Sequence, residues 1–183
     1  MRVITGSARG RKLAALPGQE VARPTGERVK EGLFSAIQFD IEGRRVLDLF
    51  AGSGQLGIEA LSRGAISVDF VDSSADCVAV IQKNLISTGL ADRARVTKTQ
   101  YDAFLAAPGE AYGLIFLDPP YASGLLPDAM LRAAARLCSG GLLVCEHPAD
   151  AILPDPAEPV SLLKRHRYGR THISIYRKAG DSE

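Results

Sequence analysis

One stretch leaves this chain few folds to choose from. Val46-Leu47-Asp48-Leu49-Phe50 is an apolar run with a single carboxylate inside it, and Ala51-Gly52-Ser53-Gly54-Gln55-Leu56-Gly57 follows with three glycines in seven residues. The first segment suits a buried parallel strand, and the glycines end it abruptly. Ile58 and Leu61, with alanine between them, then resume at helical spacing. The reading is strand, tight turn, helix. The free N–H groups and positive dipole end at such a helix start suit a carboxylate or phosphate. Gly52, Gly54 and Gly57 also match the G-x-G-x-x-G spacing of dinucleotide binders, a weak signal alone.

The alternation continues down the chain. Residues 68–72 form a second strand ending at Asp72, and residues 75–87 a helix with Val78, Ile81 and Leu85 inward and Gly89 as its stop. Residues 95–98 make a third strand leading into Thr99-Gln100-Tyr101-Asp102. Residues 114–117 make a fourth, running directly into Asp118-Pro119-Pro120-Tyr121. A helix is expected over 129–137 and a fifth strand over 141–145. Residues 160–167 and 171–177 then flank Tyr168-Gly169-Arg170 as an antiparallel hairpin. Near the start, residues 2–5 and 11–16 suit a small hairpin around Gly6 and Gly10. Thr25, after Arg23-Pro24, is placed to cap a helix carrying Val29, Leu33, Phe34 and Ile37 on one face. The expected fold is α/β: a Rossmann-like, doubly wound parallel sheet with a terminal hairpin and a hairpin-helix arm. A length of 183 residues at 46% hydrophobic content suits one domain over 1–183, divided into an arm over 1–40 and a core over 41–183.

No apolar run approaches the roughly 20 residues that span a bilayer, and the first residues do not read as a signal peptide, so a soluble cytoplasmic protein with no membrane contact is expected. Cys77, Cys138 and Cys145 lie scattered in apolar segments, apart from His147, His166 and His172, so no metal is expected. The net charge of +1 conceals an asymmetry. Residues 1–30 carry seven Lys/Arg against two acids, residues 164–178 carry six and no acid, and residues 31–163 have a net charge of −8. Basic ends around an acidic middle suit a polyanion such as nucleic acid, with Arg9, Arg11, Lys12, Arg165 and Arg167 as candidate phosphate contacts.

In an open α/β sheet, ligands bind beyond the carboxyl ends of the strands. Those ends supply the candidate cofactor contacts: Asp48, Phe50, Ala51, Gly52, Ser53 and Gly54 on the first strand and turn, Asp72 on the second, and Gln100, Tyr101 and Asp102 after the third. Asp72 lies fifteen residues past Gly57, near the spacing for an acid that binds a ribose, and Asp72-Ser73-Ser74 is also good helix-capping sequence.

The discriminating feature is Asp118-Pro119-Pro120-Tyr121. The two prolines remove two backbone donors and hold the chain extended, leaving the Asp118 carboxylate and the Pro119 carbonyl as acceptors without local competition. Two such acceptors can bind both hydrogens of an exocyclic amine. They favour a pyramidal nitrogen whose lone pair can attack a methyl group. Tyr121 supplies a ring for an extruded base, a role that needs no hydroxyl.

These motifs resemble class I S-adenosylmethionine-dependent methyltransferases acting on exocyclic amino nitrogens. More narrowly, the chain is similar to the RsmD-type family in Met1-Arg2-Val3-Ile4-Thr5-Gly6, Arg9-Gly10-Arg11-Lys12-Leu13, Arg23-Pro24-Thr25, Arg28-Val29-Lys30-Glu31, Leu33-Phe34, Phe50-Ala51-Gly52-Ser53-Gly54, residues 59–64 and Lys83-Asn84-Leu85. That resemblance implies a seven-stranded sheet with the last strand antiparallel, S-adenosylmethionine on the glycine turn and the target base at residues 118–121. It implies methylation of a guanine N2 in 16S ribosomal RNA, within a small subunit or an assembly intermediate. Many relatives have Asp-Ala after the third strand, where this chain has Gln100-Tyr101 with Asp102 next, so the adenine partner lies between Gln100 and Asp102.

Three rivals explain less. A nicotinamide dehydrogenase would account for the glycines and Asp72 but not for Asp-Pro-Pro-Tyr. A non-catalytic RNA-binding module would not need a cofactor pocket. A DNA adenine-N6 methyltransferase usually needs extra residues to read base edges, and this chain has no room for them.

Overall fold

The computed structural model describes residues 1–16, 24–156 and 158–180. In chain order its elements are α1 (Pro24–Ala36), β1 (Arg45–Leu49), α2 (Gln55–Ser62), β2 (Ser67–Asp72), α3 (Ala75–Thr88), β3 (Ala94–Lys98), α4 (Tyr101–Ala106), β4 (Tyr112–Leu117), α5 (Leu126–Ala134), β5 (Leu137–Pro148), β6 (Val160–Tyr168) and β7 (Thr171–Lys178). The strands form one sheet in the order β3-β2-β1-β4-β5-β7-β6. Strands β1 to β5 pair in parallel, and β7 runs antiparallel to both β5 and β6. The fold is the Rossmann-like mixed sheet that the sequence implied, with its last strand antiparallel. Strand order reverses between β1 and β4, which makes their carboxyl ends the switch point where such sheets bind ligands.

The apolar runs are continuous because helices cover both faces of the sheet. Every residue of β4 is buried, as are the last four of β1. On one face Val46, Phe70, Phe116 and Val144 pack with Phe34, Ile58 and Ile81 of α1, α2 and α3. On the other, Leu47, Ile115, Leu117 and Leu143 pack with Met130 and Ala133 of α5 and with Tyr176.

The arm is fastened through buried polar groups. Its small hairpin closes with an Arg2–Lys12 bridge, and the Glu59 carboxylate of α2 accepts the N–H groups of Ile4 and Thr5 at 2.8 and 3.0 Å. Glu59 also pairs with Arg63 at 2.9 Å and with buried Lys30 at 3.2 Å, while Lys30 donates to the Arg2 carbonyl. A buried charge is tolerable only when paired and hydrogen-bonded, and Glu59 meets four donors. Burial still lowers the Lys30 pKa, despite the nearby Glu59.

Three local expectations shift. Helix α1 begins at Pro24, so Thr25 stands inside its first turn, while Arg23 lies outside the described residues. A proline is well placed there because its missing N–H would be unpaired anyway. The helix expected over 129–137 is α5, three residues earlier, with Pro127 in its first turn. Residues 137–140 instead extend β5, where Leu137 pairs with Tyr112 before the register shifts. Helix α4, not foreseen, buries only Leu105 and offers little periodicity to read.

Gly57 fixes how closely α2 approaches the sheet, since a Cβ there would lie 2.3 Å from the Phe70 ring. Gly57→Ala should therefore cost about 1–3 kcal/mol through overpacking, read as a lower midpoint in urea denaturation. Unchanged stability would mean that the ring can move aside freely.

Candidate functional site

The glycine turn is built from unusual backbone and held by carboxylates. Phe50, Gly52 and Gly54 have φ of 71, 56 and 77°, a region that costs Phe50 conformational energy. The N–H groups of Phe50 and Ala51 both donate to the Val71 carbonyl at 3.0 Å. Asp72 accepts Gly52 N–H through Oδ2 and Ser74 N–H through Oδ1, each at 2.9 Å. Ser74 itself caps α3, accepting from Cys77 N–H. Asp48 accepts Gly57 N–H at 2.9 Å, and Asn84 donates to the Ser53 carbonyl at 2.9 Å while also bonding both backbone groups of Ala14. The strand ends, the turn, α3 and the arm are thus tied at one place.

Above this turn lies a cavity of about 1440 Å³, more than the roughly 300–1,000 Å³ of most small-molecule sites. Twelve of the fourteen predicted cofactor and target residues line it. Gly54 lies outside its wall, packed under the turn against Ile81 and Ile58. Asp102 also lies outside, exposed in the first turn of α4 and bonded to Ala103 N–H at 2.8 Å. Of the two adenine candidates, Gln100 is therefore the one on the cavity wall, beside Tyr101, whose ring packs on Phe50 at 5.2 Å.

The cavity suits S-adenosylmethionine in its donor set as well as its size. It offers the N–H groups of Gln55 and Leu56 at a helix start, without a partner among the described residues, the Asp72 carboxylate at the end of β2, apolar walls from Phe50, Leu56 and Val71, and a second end at residues 118–121 with room for a base. Its electrostatics are acidic. Asp72, Asp48, Asp118 and Glu146 fall on one face at the carboxyl ends of β2, β1, β4 and β5, as their register and the two-residue alternation require. Among the described residues no hydrogen bond reaches the Asp118 carboxylate. Burial, then Glu146 and Asp48, push its pKa well above the usual carboxylate range. Burial raises the Glu146 pKa too, partly offset by the Tyr121 hydroxyl, which donates to Oε1 at 3.0 Å. Burial pushes Asp48 up to about 7.

Sequence reasoning gave Tyr121 only a ring. Its hydroxyl also holds Glu146 and lies 3.2 Å from the Thr171 hydroxyl on β7. Glu146 itself was missed, although it directly follows the apolar run of the fifth strand, where the strand-end rule applies equally. Arg170, on the rim at the hairpin tip, and Met1 and Leu16 of the arm were also missed, because no local pattern marks them.

The five candidate phosphate contacts, Arg9, Arg11, Lys12, Arg165 and Arg167, are exposed and do not line the cavity. Arg165 donates to Ser174 Oγ at 2.9 Å. The two basic ends meet where Tyr168 packs on α1. A Cβ on Gly32 would lie 2.0 Å from the Tyr168 hydroxyl, and Tyr168, Val29 and Arg170 share the cavity wall.

Comparison with known proteins agrees with this architecture. A protein family described as "Conserved hypothetical protein 95" matches residues 1–177. Ribosomal RNA small subunit methyltransferase D of Escherichia coli is 34% identical, the alignment covering 100% of this chain and 92% of that protein. The Haemophilus influenzae protein of the same name is 36% identical over 96% of this chain and 93% of its own. The solved structure of the Escherichia coli protein yhhF superposes with a TM-score of 0.85 at 33% identity, covering 99% of each chain.

A pH dependence follows from Asp48. Folded, it keeps its proton up to about pH 7, whereas unfolded it loses it near its ordinary value of 3.8. The stability it contributes is complete below about pH 4 and is lost as pH rises through 7. Between pH 4 and 8 the parent should lose roughly 2–4 kcal/mol more than Asp48→Asn, which retains an acceptor for Gly57 N–H. Parallel curves in urea denaturation would show that Asp48 does not titrate in this range.

Proposed function

The chain belongs to the RsmD-type family of S-adenosylmethionine-dependent methyltransferases, and from that premise we propose that it methylates the exocyclic N2 of a guanine in 16S ribosomal RNA. The observation that carries this reading is the Asp118 carboxylate, unpartnered among the described residues, on the wall of the same cavity as the glycine turn. The names of the Escherichia coli and Haemophilus influenzae relatives support ribosomal RNA of the small subunit, taken free, in a subunit or in an assembly intermediate. Residues 1–183 act as one methyltransferase domain, with the arm over 1–40 and the core over 41–183.

S-adenosylmethionine supplies a methyl group made electrophilic by its sulfonium. The chain's own residues prepare the amine and hold the positive charge. Gly52 and Ser53 take the methionine end, Asp72 the ribose, and Gln100 with Tyr101 the adenine. Asp118 and the Pro119 carbonyl accept the two amine hydrogens, turning the nitrogen lone pair out of conjugation toward the methyl carbon. As the amine gains its methyl group it becomes cationic, and an ionised Asp118 stabilises that charge until a proton leaves to water. Tyr121 stacks on the base. Burial raises the Asp118 pKa, and an amine and a sulfonium beside the carboxyl act against that, favouring ionisation.

Mapping N2-methylguanine in 16S RNA from cells with and without the protein tests the substrate, and identical maps would refute it. Asp118→Asn should lower single-turnover methyl transfer by about 100-fold or more, leaving S-adenosylhomocysteine affinity nearly unchanged. Near-parental rates would reduce residues 118–121 to a rigid turn.

RNA affinity should fall steeply with added salt, and neutralising Arg9, Arg11, Lys12, Arg165 and Arg167 together should flatten that slope by about 0.7–0.9 for each phosphate left without its cation. Equal slopes in a filter-binding titration would return these side chains to ordinary surface charge.

A further inference from the structure

We propose that Glu146 reads the target base, accepting the N1–H of guanine while Asp118 and the Pro119 carbonyl hold the neighbouring amine. This assignment rests on the guanine reading above. Leu117 pairs with Cys145 in parallel register, and Asp118 and Glu146 directly follow these two residues, which adjacent strands hold ~4.8 Å apart. Glu146 lies close enough to push up the Asp118 pKa.

Glu146 is held in place without being used up. The Tyr121 hydroxyl donates to Oε1 at 3.0 Å, whereas Oε2 has no hydrogen-bond partner among the described residues. Beside it a smaller cavity of about 160 Å³, walled by Pro119, Pro120, Tyr121, Leu126 and Ile152, opens next to the main one. This slot is mostly apolar, with Glu146, Tyr121 and Ser123 as its polar side chains, and is on the scale of one nucleobase.

Two acceptors side by side call for a ligand that brings adjacent donors. Guanine does so, with N1–H next to the N2 amine. Adenine and cytosine place a bare ring nitrogen next to theirs, which would set a lone pair against the carboxylate. A buried acceptor left unpaired is costly, and a site built around a substrate N–H rejects analogues lacking it strongly.

The test uses 2,6-diaminopurine, which keeps the 2-amine but has a bare N1. RNA fragments carry it, or guanine, at the mapped position, and single-turnover transfer is measured with the full chain. The parent should favour guanine by about 100-fold or more. In Glu146→Gln the amide can turn its oxygen to guanine or its NH2 to the bare N1, so the preference should collapse by a similar factor. S-adenosylhomocysteine affinity should not change. Tyr121→Phe, which frees Glu146, should weaken the preference by about tenfold, and it decides the matter should Glu146→Gln not fold. A guanine-selective parent whose two variants are equally selective overturns the role of Glu146 alone. A parent that methylates no guanine overturns the guanine reading, and this assignment with it.

Discussion

Asp48 and Asp72 each accept a backbone N–H of the glycine turn, from Gly57 and Gly52 respectively, at 2.9 Å. A strand that ends in a turn with positive φ leaves amides no ladder can use, and buried amides must find partners. The two acids provide them from the ends of neighbouring strands. The turn then fixes the start of α2, α2 carries Glu59, and Glu59 gathers Ile4, Thr5, Lys30 and Arg63. A contact between β1 and one turn thereby determines where the arm sits. Asn84 closes the circuit by bonding both the turn and Ala14.

Charge is sorted around this frame. Acids occupy the floor of the cavity at the strand ends, and cations occupy the arm and the terminal hairpin, with Arg170 on the rim. A cationic cofactor and a polyanionic substrate would each meet opposite charge at different depths, without competing for the same residues. Placing several carboxyls on one buried edge costs stability as they ionise, as the raised pKa values of Asp48, Asp118 and Glu146 reflect. Carboxyls perturbed in this way cluster at functional sites, in line with the role proposed for this edge.

Much of this was legible because strong local signals and global topology agree. The apolar runs gave the strands, their spacing gave every helix but α4, and the rule for strand ends brought residues 48, 50–53, 72, 100–101 and 118–121 onto one cavity. The boundary errors have local causes. Residues 129–137 begin as a helix and end as a strand, and only Ala135 and Arg136 separate Ala134 from Leu137, with no glycine or proline to mark the change. Residues that act through partners distant in sequence were invisible. Nothing near Glu59 announces that it meets Ile4, and nothing near Tyr121 announces that its hydroxyl meets Glu146.

Asp72 illustrates the limit most usefully. Its spacing suggests a ribose acceptor and its neighbours suggest a cap, as though these were alternatives. Both oxygens are bonded to backbone N–H groups, yet each carboxylate oxygen has a second lone pair, so holding the turn does not prevent a contact with ribose. The two roles support each other, because the bonds that position the turn also fix the carboxylate's orientation. Replacing Asp72 would disturb fold and affinity together. Asp118 has no hydrogen bond to lose among the described residues, so its replacement alters the chemistry while leaving the turn intact. The acid that matters least to the fold is therefore the cleanest probe of the reaction.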